Sequence, residues 1–211
     1  MRLFGPLLLM SLTVAPLFAQ TESLPSKTVE ISVNGGLSLP SLPSEFKSYW
    51  KKGTDVGAGI GYSLEPGSVG YGALELKVDW NGYSFDKSAY QSSLPANKQS
   101  DSIAGSSTNI ITAFVTFRGT FSPSKTSVAP YFLLGIGYFS VSSKDVTVKP
   151  DAVFSLPDES QSSVAWMVGA GIDLPLGDKW GVFADGRYIL GVNQELGRQY
   201  FPVTLGVRIK P

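Results

Sequence analysis

The sequence predicts an all-β protein, an eight-stranded antiparallel up-and-down transmembrane β-barrel. Two observations predict this fold. Eight segments alternate between apolar and polar residues with the two-residue period of a strand whose two faces differ. The connections between these segments alternate between short turns and long polar loops, which is typical of barrels that cross a membrane.

The eight segments have lengths close to the ~9–11 residues with which a tilted strand crosses a bilayer. In the third segment, for example, Leu74, Leu76 and Val78 alternate with charged residues. An even number of strands allows antiparallel closure with both chain ends on the same side of the membrane. The predicted strands are 27–38, 54–64, 69–80, 108–119, 129–142, 162–174, 179–190 and 201–209.

The links between the predicted strands fall into two classes. We expect the short ones, which contain the turn-forming residues Pro, Gly, Ser or Asp, to be periplasmic, and the long ones to be extracellular. Because long loops on a rigid scaffold often carry recognition, we expect the long links to contact an extracellular ligand. The short links are 65–68, 120–128 and 175–178, and the long links are 39–53, 81–107, 143–161 and 191–200.

The polar face of the predicted strands carries charges that would lie in the lumen of a membrane barrel. A buried charge without a partner is costly, so we expect the four basic residues to pair with carboxylates and to close the lumen as a plug. The expected network is Glu30, Glu75, Lys77, Asp79, Arg118, Asp173, Asp185, Arg187 and Arg208, and Asp55 also lies on the polar face. A narrow channel or transporter for small solutes is the alternative function of such a lumen.

The apolar face would then contact lipid. Bulky aromatic residues on this face lie near strand ends, where aromatic belts at the membrane interfaces belong. We expect this role for Trp80, Trp166, Trp180 and Tyr188. If the apolar face instead pointed inward, the chain would be a soluble secreted β-barrel that binds an apolar ligand, and the sequence leaves this alternative open.

The first residues predict export from the cytoplasm. Arg2 is followed by an apolar stretch, and small Ala19 precedes a change to polar composition, which is typical of a secretory signal peptide. We therefore expect a signal peptide at 1–19 and a barrel domain at 20–211. The chain has 17 basic and 17 acidic residues, so its net charge predicts no attraction to nucleic acid.

The composition also argues against catalysis. The chain contains no His and no Cys, so a nucleophilic Ser activated by His and a metal site built on these residues are both excluded. The run Gly57-Ala58-Gly59-Ile60-Gly61 lacks the last glycine of a phosphate-binding loop and precedes no helix signal. We therefore expect no enzymatic activity and no cofactor.

Three stretches resemble strands of the OmpA/OmpX-like eight-stranded outer-membrane barrel family. They are PYFLLGIGYF at 130–139, WGVFADGRYIL at 180–190 and FPVTLGVRI at 201–209. The resemblance implies a monomer in the outer membrane of a Gram-negative-type bacterium, in contact with outer-membrane lipid and lipopolysaccharide. It also implies a structural or surface-interaction function through the long loops.

The same resemblance implies insertion by the outer-membrane assembly machinery. In that family the machinery reads an alternating C-terminal strand that ends in an aromatic residue. In this chain the alternation is present, but the sequence ends Ile209-Lys210-Pro211. The expected assembly signal is Val203, Leu205, Val207 and Ile209.

Overall fold

The computed structural model describes residues 28–64, 71–96, 102–104, 107–121, 128–143, 147–149, 160–177, 179–192 and 198–211. The predicted signal peptide and the predicted turn at 65–68 lie outside these residues. Parts of the predicted links at 81–107, 120–128, 143–161, 175–178 and 191–200 also lie outside them.

Ten strands and two short helices make up the described structure. In chain order they are β1 (Val29–Leu42), α1 (Ser44–Tyr49), β2 (Gly53–Ser63), β3 (Tyr71–Ser84), α2 (Lys87–Ser93), β4 (Ser102–Ala104), β5 (Ser107–Thr120), β6 (Ala129–Ser143), β7 (Thr147–Lys149), β8 (Ser160–Pro175), β9 (Trp180–Gly191) and β10 (Gln199–Ile209). No helix among the described residues has the length and apolar character needed to cross a membrane.

The eight long strands form one closed antiparallel barrel. Each long strand pairs with the next long strand along the chain, and β10 pairs with β1 to complete the circle. In this closing pair Val33 lies opposite Val207, and Gly35 lies opposite Leu205. The predicted fold class is therefore confirmed, and the last predicted strand closes against the first as expected. The short strands β4 and β7 pair with each other outside the barrel.

Several strands are longer than predicted. The sequence predicts that β1 ends at Ser38 and β3 at Trp80, but these strands continue to Leu42 and Ser84. Asn81 and Gly82 have the composition of a turn. Ladder pairing overrides that local preference, because Asn81 pairs with Asp55 on one side and with Ile110 on the other. The predicted loops at 39–53 and 81–107 therefore begin later than expected.

The barrel has two different rims. The ends of β2 and β3 that the link at 64–70 joins lie at the same rim as the start of β1 and the end of β10. We call this the turn rim. The opposite rim, which we call the loop rim, carries α1, α2 and the β4–β7 pair, because these elements lie in the links that leave the other ends of the strands. The alternation of short and long links thus gives two structurally distinct ends.

The apolar face of every long strand points outward. Leu205 is 70% exposed, and Trp80, Trp166 and Trp180 also remain exposed on the outer surface. Tyr188 is half-buried on the same face. The charged face points inward, where Arg118 and Arg187 are fully buried. A soluble barrel would show the reverse arrangement, so this geometry is that of a barrel surrounded by lipid.

The lipid-facing assignment predicts how stability depends on depth in the membrane. Leu205 lies near the middle of β10, and Leu42 is exposed at the loop-rim end of β1. We expect Leu205→Arg to lower the free energy of unfolding by ~2–4 kcal/mol and Leu42→Arg by ~0–1 kcal/mol. Urea unfolding in phospholipid vesicles measures both variants. Equal costs for the two substitutions would contradict the assignment of the outer face.

Candidate functional site

The lumen holds long charged side chains because small residues face them. Gly61 lies directly opposite Glu75 on the neighbouring strand, and Gly169 lies opposite Arg187. A Cβ atom added at either glycine would lie 3.0 Å from the Cγ atom of that opposite residue. An eight-stranded barrel is just wide enough for its side chains to fill it. The glycines therefore provide the space that the charged side chains occupy.

Arg118 is the centre of a group of ion pairs near the turn rim. Its guanidinium forms an ion pair with Glu30 and approaches Glu75, with 2.6 Å between Nε and Oε1. A third contact joins Arg118 Nη1 to Asp173 Oδ2 at 3.6 Å. All these groups are buried. One arginine from β5 thus links side chains of β1, β3 and β8 across the lumen.

Arg208 shares the same carboxylates from the opposite side. It pairs with Asp173, and its Nε atom lies 3.4 Å from Glu30 Oε2. Lys210, which is about one-third exposed, adds a contact of 3.6 Å between its Nζ atom and Glu30 Oε1. We call Glu30, Glu75, Arg118, Asp173 and Arg208 the turn-side cluster.

A second group of ion pairs lies further into the barrel and surrounds Arg187. Its guanidinium nitrogens lie 2.7 Å from Asp79 Oδ2, 3.1 Å from Asp55 Oδ1 and 3.1 Å from Asp185 Oδ1. Lys77 reaches this group only through Asp185, at 3.9 Å. We call Asp55, Lys77, Asp79, Asp185 and Arg187 the central cluster.

Neutral hydrogen bonds hold the carboxylates of the central cluster in place. The amide of Asn34 donates to Asp55 Oδ1 at 2.9 Å and to Asp79 Oδ1 at 3.2 Å. The hydroxyl of Thr204 donates to Asp185 Oδ1 at 2.7 Å. Because these donors come from β1 and β10, the central cluster is tied to the seam where the barrel closes.

Aromatic side chains cover the clusters at the loop rim. Phe46 of α1 packs edge-on against Tyr83, with 5.0 Å between ring centroids, and Tyr83 contacts Tyr200 at 6.3 Å. Phe139 contacts Tyr200 at the same distance. All four rings are buried. We call Phe46, Tyr83, Phe139 and Tyr200 the aromatic cap.

The aromatic cap was not predicted from the sequence. Tyr83 and Tyr200 follow the inward parity of their strands, but they lie just beyond the predicted strand ends at Trp80 and Phe201. Phe139 lies within a predicted strand and faces inward beside outward Tyr138. Continuing the alternation by a few residues would have found Tyr83 and Tyr200, and the parity within the predicted strand would have found Phe139. No strand pattern applies to Phe46 on α1.

The loop rim also presents exposed lysines. Four lysines at this rim are exposed and form no ion pair with another residue in the described ranges. They are Lys47, Lys51, Lys52 and Lys87. Backbone hydrogen bonds from Lys51 N to Ser84 O (2.9 Å) and from Asp86 N to Tyr49 O (2.7 Å) join the two loops that carry them. These contacts place Lys51 and Lys87 on adjoining segments. We call the four residues the rim lysines.

A family model for the outer membrane protein β-barrel domain matches residues 5–208, which is nearly the whole chain. The chain belongs to the outer membrane β-barrel protein family. It is therefore an outer-membrane protein of a Gram-negative-type bacterium, as the resemblance implied. No curated protein matches this outer-membrane barrel.

Solved structures agree with the family assignment at the level of the fold. Neisserial surface protein A is 18% identical, with a TM-score of 0.52, over 90% of this chain and 100% of that chain. Ail, the attachment invasion locus protein of Yersinia pestis, was solved with the heparin analogue sucrose octasulfate. It is 14% identical, with a TM-score of 0.52, over 89% of this chain and 100% of that chain.

The residues of the expected network lie together in the lumen, divided between the two clusters. Asp55 was not among the expected partners, although it lies on the polar face, and the structure pairs it with Arg187. Val203 and Leu205 point outward from β10, and Val207 and Ile209 are half-buried there. Their role as an assembly signal stays a prediction, as do the interfacial roles of the four aromatic residues.

The contacts of the central cluster predict that its two cations, Arg187 and Lys77, contribute unequally to the free energy of unfolding. Arg187 contacts three buried carboxylates, whereas Lys77 contacts only that of Asp185. Without Lys77, Asp185 would still have Arg187 and Thr204 as partners. Removing one partner from a buried ionic network costs ~3–5 kcal/mol. We expect this loss of unfolding free energy for Arg187→Met and less than half of it for Lys77→Met. Urea unfolding in vesicles compares them, and an equal or larger loss for Lys77→Met would contradict the described pairing.

Proposed function

We propose that the protein is a closed outer-membrane barrel that acts as a surface-interaction protein and binds an anionic saccharide at its loop rim. The observation that carries the proposal is the group of rim lysines on two loops that backbone hydrogen bonds join at the loop rim. A rigid barrel with structured loops is a common scaffold for recognition.

The side chains in the lumen support the proposal that the barrel is closed to solutes. Ion pairs from Arg118 and Arg187 cross the barrel at two levels, and the aromatic cap adds a third level of buried side chains. A continuous aqueous path would separate these pairs or expose them to water. Because breaking a buried ionic network is costly, the filled lumen favours a structural role over transport.

The rim supports binding of a negatively charged ligand. Within the loop at 39–53, Lys47, Lys51 and Lys52 outnumber the single acidic residue Glu45. Cationic side chains without an ion-pair partner are available to sulfate or phosphate groups, which lysine binds as a point charge. The structure of Ail with sucrose octasulfate supplies a precedent in the same fold. A sulfated glycan and the phosphorylated head group of lipopolysaccharide share this chemistry.

A charge reversal at the rim tests the proposal. We expect Lys51→Glu to weaken binding of sucrose octasulfate to the detergent-solubilised protein by about tenfold at low salt. Lys179→Glu, which makes the same change at the turn rim, serves as the matched control and is expected to leave affinity unchanged. Isothermal titration calorimetry measures both, with binding expected to weaken as salt increases.

Two results would contradict the proposed ligand. One is the absence of binding by the wild-type protein at low salt, and the other is an equal loss in the two variants. Repeating the titration with purified lipopolysaccharide distinguishes the two sources of anionic groups. A loss with Lys51→Glu for lipopolysaccharide alone would assign the rim to the membrane's own head groups.

A further inference from the structure

The two ionic clusters differ in their charge balance. In the turn-side cluster, the three carboxylates face Arg118 and Arg208, and Lys210 contributes a third cation at its edge. In the central cluster, Asp55, Asp79 and Asp185 face only two cations. Among the described residues, the central cluster therefore carries one negative charge in excess. An uncompensated charge is costly to bury.

Asp55 is the carboxylate of the central cluster that has an oxygen without a hydrogen-bond partner among the described residues. Both Arg187 and Asn34 contact its Oδ1 atom, whereas its Oδ2 atom has no hydrogen-bond partner among the described residues. Asp55 is fully buried, so water outside the barrel does not reach this oxygen. Buried polar atoms normally have partners, and an exception of this kind indicates a water or ion bound at the position.

The residue directly opposite Asp55 has the same property. Asn81 is the cross-strand partner of Asp55, faces the lumen and is also fully buried. Neither its amide oxygen nor its amide nitrogen has a hydrogen-bond partner in the described part of the chain. Two adjacent inward side chains, on β2 and β3, thus present unpartnered oxygen atoms to one region of the lumen.

Other groups around this region are compatible with a cation. Asn34 on β1 adds an amide oxygen that also lacks a hydrogen-bond partner in the described ranges. Thr112 on β5, the cross-strand partner of Asp79, brings a buried hydroxyl group to the same side of the lumen. Carboxylate, amide and hydroxyl oxygens are ligands for hard cations. Arg187 is the cationic group next to this region, and it contacts the other carboxylate oxygen of Asp55.

We propose that the lumen binds one alkali cation, Na⁺ or K⁺, with Asp55 Oδ2 and Asn81 Oδ1 among its ligands. One positive charge balances the central cluster, whereas a divalent ion would leave it positive. This site goes beyond the proposed surface function and does not depend on the rim lysines.

The wild-type protein provides the first test. Urea unfolding in vesicles is measured in NaCl, KCl and choline chloride at the same ionic strength, because choline is too large for a site between two side chains. A ligand that binds only the folded state stabilises that state by mass action. We expect Na⁺ or K⁺ to raise the folding equilibrium constant by about tenfold when the ion is at about ten times its dissociation constant.

Variants assign the effect to the site. Asn81→Leu replaces the amide oxygen and nitrogen by methyl groups with the same branching and is expected to abolish the difference between the alkali salts and choline. Asn81→Asp keeps the oxygen and adds a charge, so the alkali-ion dependence is expected to increase. Thr116→Val removes another buried polar group from the lumen and serves as the control, in which the wild-type dependence is retained.

The proposal is overturned if the wild-type protein has the same stability in all three salts. It is also overturned if Asn81→Leu keeps the full alkali-ion dependence, or if Mg²⁺ or Ca²⁺ stabilises the protein and Na⁺ and K⁺ do not. Should Asn81→Leu fail to fold, the salt series on the wild type and on Asn81→Asp decides the question.

Discussion

The structure depends on the pairing of Arg118 and Arg187 with carboxylates inside a lumen that lipid surrounds. With apolar side chains facing the membrane, every charge on the opposite parity must be buried, and a buried charge requires a partner. Each arginine contacts three carboxylates from different strands, and four of these six ion pairs connect strands that share no backbone hydrogen bonds. The same contacts fill the barrel and stabilise its closure.

The loop rim is built on this filled interior. The aromatic cap lies between the central cluster and the loops, and Phe46 anchors α1 to Tyr83 at the top of β3. Backbone hydrogen bonds then join the two loops that carry the rim lysines. The packed interior therefore supports the position of the rim lysines. In this way the buried ion pairs contribute to the surface at which recognition is proposed.

The barrel could be predicted from the sequence because each strand has one face toward lipid and one face toward a charged lumen. These two environments require apolar and polar residues to alternate along each strand, and this pattern is visible in the local sequence. In β3, for example, Leu74 lies on the outward face and Glu75 on the inward face, and turn residues separate the strands. Pairing partners such as Asp55 with Arg187 depend on register across the barrel, which alternation does not specify. The extension of β3 to Ser84 and the burial of Phe46 depend on tertiary contacts that override local turn and loop composition.

Conductance of the purified protein in planar lipid bilayers tests most directly whether ion pairs close the lumen. The pairs that Arg118 and Arg187 form across the barrel predict that the wild-type protein produces no discrete channel openings. Stable openings at the nanosiemens level would require an aqueous path through both clusters, and would contradict the closed lumen.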